Sequence, residues 1–189
     1  MSSSPISREK ALELIKKYNT HNQDIVHYLE SEAVMRRLAL HLRLGKNEVD
    51  YWGMLGLLHD IDWGITKNNV ETHLTKAPQI LKDAGFGQEF IEALLSHGYS
   101  FHELPHLAGK RRTEKIQYAL AASETITGLI HAYTLMRGNR ISDMEASGLK
   151  KKFKDKTFAA KVERNVILEI ENLGIRLEEF FRIAIEGIK

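Results

Sequence analysis

Several side chains in this sequence can hold a divalent ion, and they are ordered along the chain. His27 stands early, and His59 and Asp60 adjoin at the end of an apolar run (GLLHDIDWG, 56–64). Glu124 lies in a stretch of small residues (AASET, 121–125), and His73 and His97 fall between. Imidazole nitrogen with carboxylate oxygen suits manganese, iron, nickel, cobalt, zinc or magnesium, the several histidines weighing against magnesium alone. Each residue also has a plainer reading. His27 could be a core histidine bonded to a carbonyl. His59-Asp60 could be the polar rim of a helix end, and Glu124 the buried partner of an Arg or Lys.

The elements expected to position these residues are helices. His27 shares a helical face with Ser31, Val34 and Leu38, on a long helix predicted over about 21–43. A first helix is marked by Ala11, Leu12, Leu14, Ile15 and Tyr18, with Ser7 as its N-cap. Asn47 with Asp50 resembles a capping box that opens a helix over 47–60 and carries His59-Asp60 at its end. Helices near 71–84 and 87–97 follow, parted by Gly85-Phe86-Gly87, with Pro78 as kink or start of the first. His73 would open a stripe with Ala77, Ile80 and Ala84, and His97 would close one with Phe90 and Leu94. Residues 98–110 read as a loop over the core, 113–136 as a long helix through Glu124. Helices near 141–147, 157–172 and 176–187 close the chain, with Gly174 breaking before the last. The expectation is an all-α protein with one domain over 1–189: a helical core of about 7–136 and a C-terminal helical extension of about 141–187.

Composition narrows the function classes. The absence of cysteine excludes disulfides, thiolate chemistry and Cys-ligated metal sites. Lys+Arg number 27 against 25 for Asp+Glu, so the net charge of +2 gives no mandate for nucleic acid. The start, MSSSPISREK, has no apolar signal-peptide core, and no run approaches membrane-spanning length. A cytoplasmic protein without a membrane partner is expected. The one basic cluster, Lys150 to Lys156, contains a single aromatic, too little for a base-stacking platform. It reads as a solvated helix end or as an aid to a phosphate-rich substrate or nucleic acid, a small phosphorylated molecule being favoured over a polymer, with Arg111-Arg112 adding to the same field. The surface of 176–187 could close a core or a homodimer.

Taken in order, these residues resemble the HD domain superfamily of metal-dependent phosphohydrolases. HNQDIVHYLESEAVMRRLA is similar to the helix bearing that family's first His, and GLLHDIDWG to its His-Asp motif. IEALLSHG is similar to the segment supplying a later His. ALAASETITGLIHAYTLMR and SGLKKKFKDKTFAAKVERNVI are similar to the C-terminal half of a small bacterial and archaeal subgroup. The resemblance spans nearly the whole chain. It implies an HD-like bundle with His27, His59, Asp60 and Glu124 on one ion, and His73 and His97 completing a second site in two-metal members. One or two divalent ions per chain are expected.

The implied activity is hydrolysis of a phosphate ester, by an activated water attacking phosphorus in line, on a nucleotide or other small phosphorylated molecule. Asp60 bridges the ions in this reading. Asp62 orients the water, protonates the leaving group, accepts from a ligand histidine, or only turns the chain; Lys67 reaches phosphate or solvent. Glu124 departs from the family, which places Asp there; Glu reaches one methylene further. The alternative is a catalytically weak or inactive metal-binding regulatory module of the same fold. Extended signatures of the cyclic-dinucleotide and stringent-response enzymes are missing.

Overall fold

The computed structural model describes residues 4–99 and 101–189; the first three residues of the N-terminal stretch and Ser100 of the expected loop lie outside them. The described residues are all-helical, with no strand. In chain order the α-helices are α1 (Arg8–Tyr18), α2 (Asn22–His41), α3 (Lys46–Leu58), α4 (Trp63–Thr66), α5 (Ala77–Asp83) and α6 (Gln88–Leu95). Then come α7 (Lys115–Met136), α8 (Ala146–Lys154), α9 (Arg164–Leu168) and α10 (Leu177–Ile188). Short 3-10 turns cover Val70–Thr72, Ser96–Gly98, Pro105–Leu107 and Glu169–Leu173. No helix among the described residues is long and apolar enough to cross a membrane.

α2 is the axis of the bundle and packs against α3, α7 and α10. Its buried face carries Tyr28, Val34, Met35, Leu38 and Ala39, at the helical spacing. α3 is buried from Tyr51 to Leu58 without a break, as a helix surrounded by others must be. Gly56 lets it approach α2: a Cβ there would sit 2.6 Å from the Ser31 carbonyl oxygen. A buried carboxylate, Glu32, is matched by two guanidiniums, Arg8 and Arg36, each at 2.8 Å. Phe180, Phe181 and Ala184 of α10 are fully buried and join the same core, so the C-terminal helices are packed into the bundle.

Several predicted boundaries shift, each for a local reason. α3 begins at Lys46: Gly45 is its N-cap and Glu48 accepts from the Gly45 N–H (3.2 Å), so the Asn47–Asp50 box is not formed. Asp50 pairs with Arg36 instead. Pro78 opens α5, where its missing N–H costs nothing. The helix expected at 141–147 starts at Ala146 and runs to Lys154, because Gly138 and Asn139 hold left-handed turns just upstream. Over 157–172 only α9 and the following 3-10 turn are helical; Gly174 does end that segment, with φ 79°.

The turn after α3 is stapled from α1. Asn19 is fully buried. Its amide donates to the Ile61 carbonyl (2.8 Å), while its Oδ1 accepts from the Tyr28 hydroxyl (2.9 Å) and the Gly64 N–H (2.6 Å). Gly64 is the residue this approach requires: a Cβ would stand 2.0 Å from the Tyr18 carbonyl oxygen. Gly64→Ala is therefore expected to cost about 2–3 kcal/mol, the upper range for overpacking. Thermal unfolding would read this as a midpoint lowered by roughly 5–10 °C; an unchanged midpoint would show that α1 does not seat on α4.

Candidate metal centre

Four histidines from different segments turn one ring edge toward a single carboxylate, and their other edges explain why. His59 follows the last residue of α3, and its Nδ1–H donates to the Gly56 carbonyl (2.8 Å). His97 follows α6 and donates in the same way to the Leu94 carbonyl (2.8 Å). Both use carbonyls in the last turn of a helix, where the i to i+4 ladder runs out. A carbonyl only accepts, so both rings carry hydrogen on Nδ1 and present an Nε2 lone pair inward. His73 Nδ1 donates to Asp62 Oδ1 (3.0 Å), and His27 Nδ1 lies 2.9 Å from the Thr127 hydroxyl.

Asp60 is the shared centre. Its Oδ1 lies 3.2 Å from His73 Nε2 and 3.2 Å from His97 Nε2. Its Oδ2 lies 3.5 Å from His59 Nε2 and 3.9 Å from His27 Nε2, and those two nitrogens are 3.0 Å apart. His27–His59–Asp60 and Asp60–His73–His97 thus form two sets whose ligand atoms lie within 4.8 Å of one another, and each could hold a metal ion. The donor chemistry fits. The lone pair of His97 faces Asp60 Oδ1 at 3.2 Å, acceptor against acceptor, a contact that a cation between them would relieve.

The electrostatics agree with that fit. Burial pushes the His59 imidazole down to about 3 and also lowers His27, so both stay neutral, the form that ligates. Burial drives the Asp60 carboxyl up, but the facing His59, His73 and His97 outweigh it and hold it well below the usual carboxylate range. Burial lowers His73, but its bonds to Asp60 and Asp62 overcome this and raise it to about 10. A proton on His73 therefore competes with an ion at neutral pH.

The other predicted residues lie elsewhere. Glu124 is not in either converging set. It lies on α7 beside His27, and its Oε1 accepts from the neighbouring Thr125 hydroxyl; burial raises its carboxyl to about 7. Asp62 is fully buried, and both of its oxygens are taken: Oδ1 by His73 Nδ1 and Leu74 N, Oδ2 by Lys76 N and Ala77 N. Of the roles left open for it, this geometry fits the acceptor behind a ligand histidine and not a proton carrier. Lys67 donates to Asp24 (3.2 Å).

Arg112 does not add to a substrate field: it is buried, donating to Glu169 and to the carbonyls of Ser96 and Tyr99, which brackets the His97 turn. The lysine cluster lies on α8 and just beyond it, with Lys150 paired to Glu178 and Lys152 over the Tyr133 and Phe158 rings. His102 and His106 are exposed. His73 is not on a helical stripe; it precedes Leu74, which adopts a left-handed φ of 67°.

Sequence reasoning passed over two residues that position the centre, Asn19 and Thr127. A β-branched threonine inside the helix ETITG was the only signal for the second. No family model, curated protein or solved structure matches the chain.

Proposed function

We propose that the chain is a cytoplasmic, metal-dependent phosphohydrolase of the HD type, acting on a small phosphorylated molecule. The observation that carries this reading is the convergence of four imidazole Nε2 atoms on the one Asp60 carboxylate. Such a set could hold a cation, and His/Asp ligands with a shared carboxylate suit one or two divalent ions of the manganese-to-zinc range. His27, His59 and Asp60 would hold one; Asp60, His73 and His97 the other. When bound, such ions lower the pKa of water and polarise a phosphoryl oxygen.

The chain's own groups define how a substrate would arrive. His27 and Asp60 are the accessible members, with side chains 32% and 16% exposed, while His59 is fully covered. Two cavities of about 310 and 200 Å³ both reach His27, between α2 and α7 and beside the segment before α9. That size favours a small ligand such as a nucleotide over a nucleic-acid polymer. Cations near His27 are few: Lys161 lines one cavity, and Lys67 is engaged by Asp24. The charge of a phosphate would thus fall mainly to the ions, and Asp60 would keep those ions in place.

The second reading, a metal-binding module with little or no turnover, draws on Glu124. Its carboxylate is turned to Thr125, and with Asp24 and Glu30 it makes the surroundings of His27 acidic. The purified protein is expected to bind one to two divalent ions per chain, with affinity rising roughly tenfold per pH unit near neutrality as the ion displaces the His73 proton. Calorimetric titrations with manganese and zinc at several pH values check this. Nucleoside monophosphates, dinucleoside polyphosphates and cyclic nucleotides, assayed with each metal, then separate enzyme from module. Metal binding without hydrolysis of any of them selects the module; no metal binding ends both readings.

A further inference from the structure

His27 differs from the other histidines of the cluster in how its far nitrogen is anchored. His59 and His97 sit at helix ends and donate to last-turn carbonyls three residues back. His73 sits in a turn and uses Asp62. His27 lies inside α2, where the nearby carbonyls are already spent on the helix, so its Nδ1 must find a side chain. That side chain is Thr127, fully buried on α7. The Thr127 hydroxyl lies 2.9 Å from His27 Nδ1 and 2.7 Å from the Glu124 carbonyl oxygen.

These two distances give the hydroxyl two satisfied states. It can donate to His27 Nδ1, leaving the His27 hydrogen on Nε2, where it points at the His59 Nε2 lone pair 3.0 Å away. Or it can donate to the Glu124 carbonyl and accept a hydrogen from His27 Nδ1, freeing the Nε2 lone pair of His27. The first state bonds His27 to His59 in the metal-free protein. The second is the one an ion requires. Going from the first to the second, the Thr127 hydroxyl turns about its C–O bond while the His27 hydrogen leaves Nε2 for solvent, which reaches this 32% exposed side chain, and a hydrogen from solvent replaces it at Nδ1.

We infer that Thr127 is a positioning residue whose hydroxyl reverses its hydrogen bond so that His27 changes tautomer when an ion binds. The inference rests on the metal-centre reading, and it makes Thr127 the only outer partner in the cluster that must serve as both donor and acceptor. Valine keeps the shape of threonine but can do neither, so a metal-loaded Thr127→Val would bury an unpaired Nδ1–H. Serine retains the hydroxyl and the reversal.

The test uses zinc on the full chain, read by nitrogen-15 NMR of the imidazole rings and by competitive titration. In the parent, the His27 hydrogen is expected on Nε2 without zinc and on Nδ1 with zinc. Thr127→Val is expected to weaken zinc binding about 10–100-fold, the usual cost of losing a ligand's outer partner, while Thr127→Ser stays within about threefold. A parent that binds no zinc overturns the metal-centre reading and this inference with it. A parent that binds zinc with the His27 tautomer unchanged, or a folded Thr127→Val with parental affinity, overturns this inference alone. Should Thr127→Val fail to fold, the parent's two spectra and the serine variant decide by the same criteria.

Discussion

Asp60→Asn is expected to abolish metal binding while leaving the helices in place. Asp60 is the one residue common to both ligand sets, contributing Oδ1 to the His73–His97 side and Oδ2 to the His27–His59 side. An amide in its place turns one oxygen into a donor and removes the only anion that faces all four rings. One side of the cluster then loses a ligand, and the other loses the charge that opposes the ion. Affinity should fall by more than about 100-fold, beyond the 10–100-fold typical of an outer-partner loss. Asp60 follows α3 in a turn and its side chain is partly accessible, so far-UV circular dichroism should be nearly unchanged. Competitive titration with zinc and manganese reads the affinity. Parental affinity in the variant would show that the two histidine sets do not depend on a shared carboxylate, and the proposed centre would be wrong.

How far this centre was legible before the structure depends on what each residue's position demanded. The long helices could be read from period: α2 buries one continuous face, α7 is apolar enough to be buried all round over Ala119–Ser123, and α10 alternates Phe180, Phe181 and Ala184 with charged positions. His27, His59, Asp60, His73 and His97 were identified by their order and flanks, not by any helical face they share. Periodicity would have put His73 on a stripe with Ala77 and Ile80. Leu74 prevents that, because a left-handed leucine reverses the chain just after His73, and no sequence pattern announces a non-glycine residue in that conformation. Glu124 was chosen as an isolated acid among small residues, which is sound as a statement of cost. Its carboxylate meets that cost with a raised pKa and a bond to Thr125. The lysine cluster is expected as a solvated helix end, and it covers the C-terminal half of α8, which Leu149, fully buried on the same helix, ties to the core.

Asp62→Asn is expected to cost about 3 kcal/mol of stability and, in the surviving folded protein, to weaken metal binding about 10–100-fold. The argument begins with its four donors. The Asp62 carboxylate accepts from His73 Nδ1 at 3.0 Å, Leu74 N at 3.2 Å, Lys76 N at 3.0 Å and Ala77 N at 3.1 Å. All four lie on one segment, 73–77, and the last two begin α5. Asparagine can accept at one oxygen only; its NH₂ would meet two donors head on, in a site with no access to solvent. The strained Leu74 backbone, worth about 1–2 kcal/mol against the usual conformation, is held by one of the lost bonds. Once that restraint weakens, the turn that aims His73 at Asp60 can relax, and the ligand set loses a member without any ligand having been changed. The two carboxylate variants should therefore separate cleanly. Asp60→Asn loses the ion and is expected to lower the denaturation midpoint less than Asp62→Asn does, because its side chain is partly accessible to water and no backbone N–H depends on it. Asp62→Asn shifts the midpoint first, and its metal affinity falls because the scaffold beneath His73 has moved. Urea denaturation of both variants without metal decides: equal midpoints would place Asp62 outside the support of the turn and return it to the list of groups available for proton transfer.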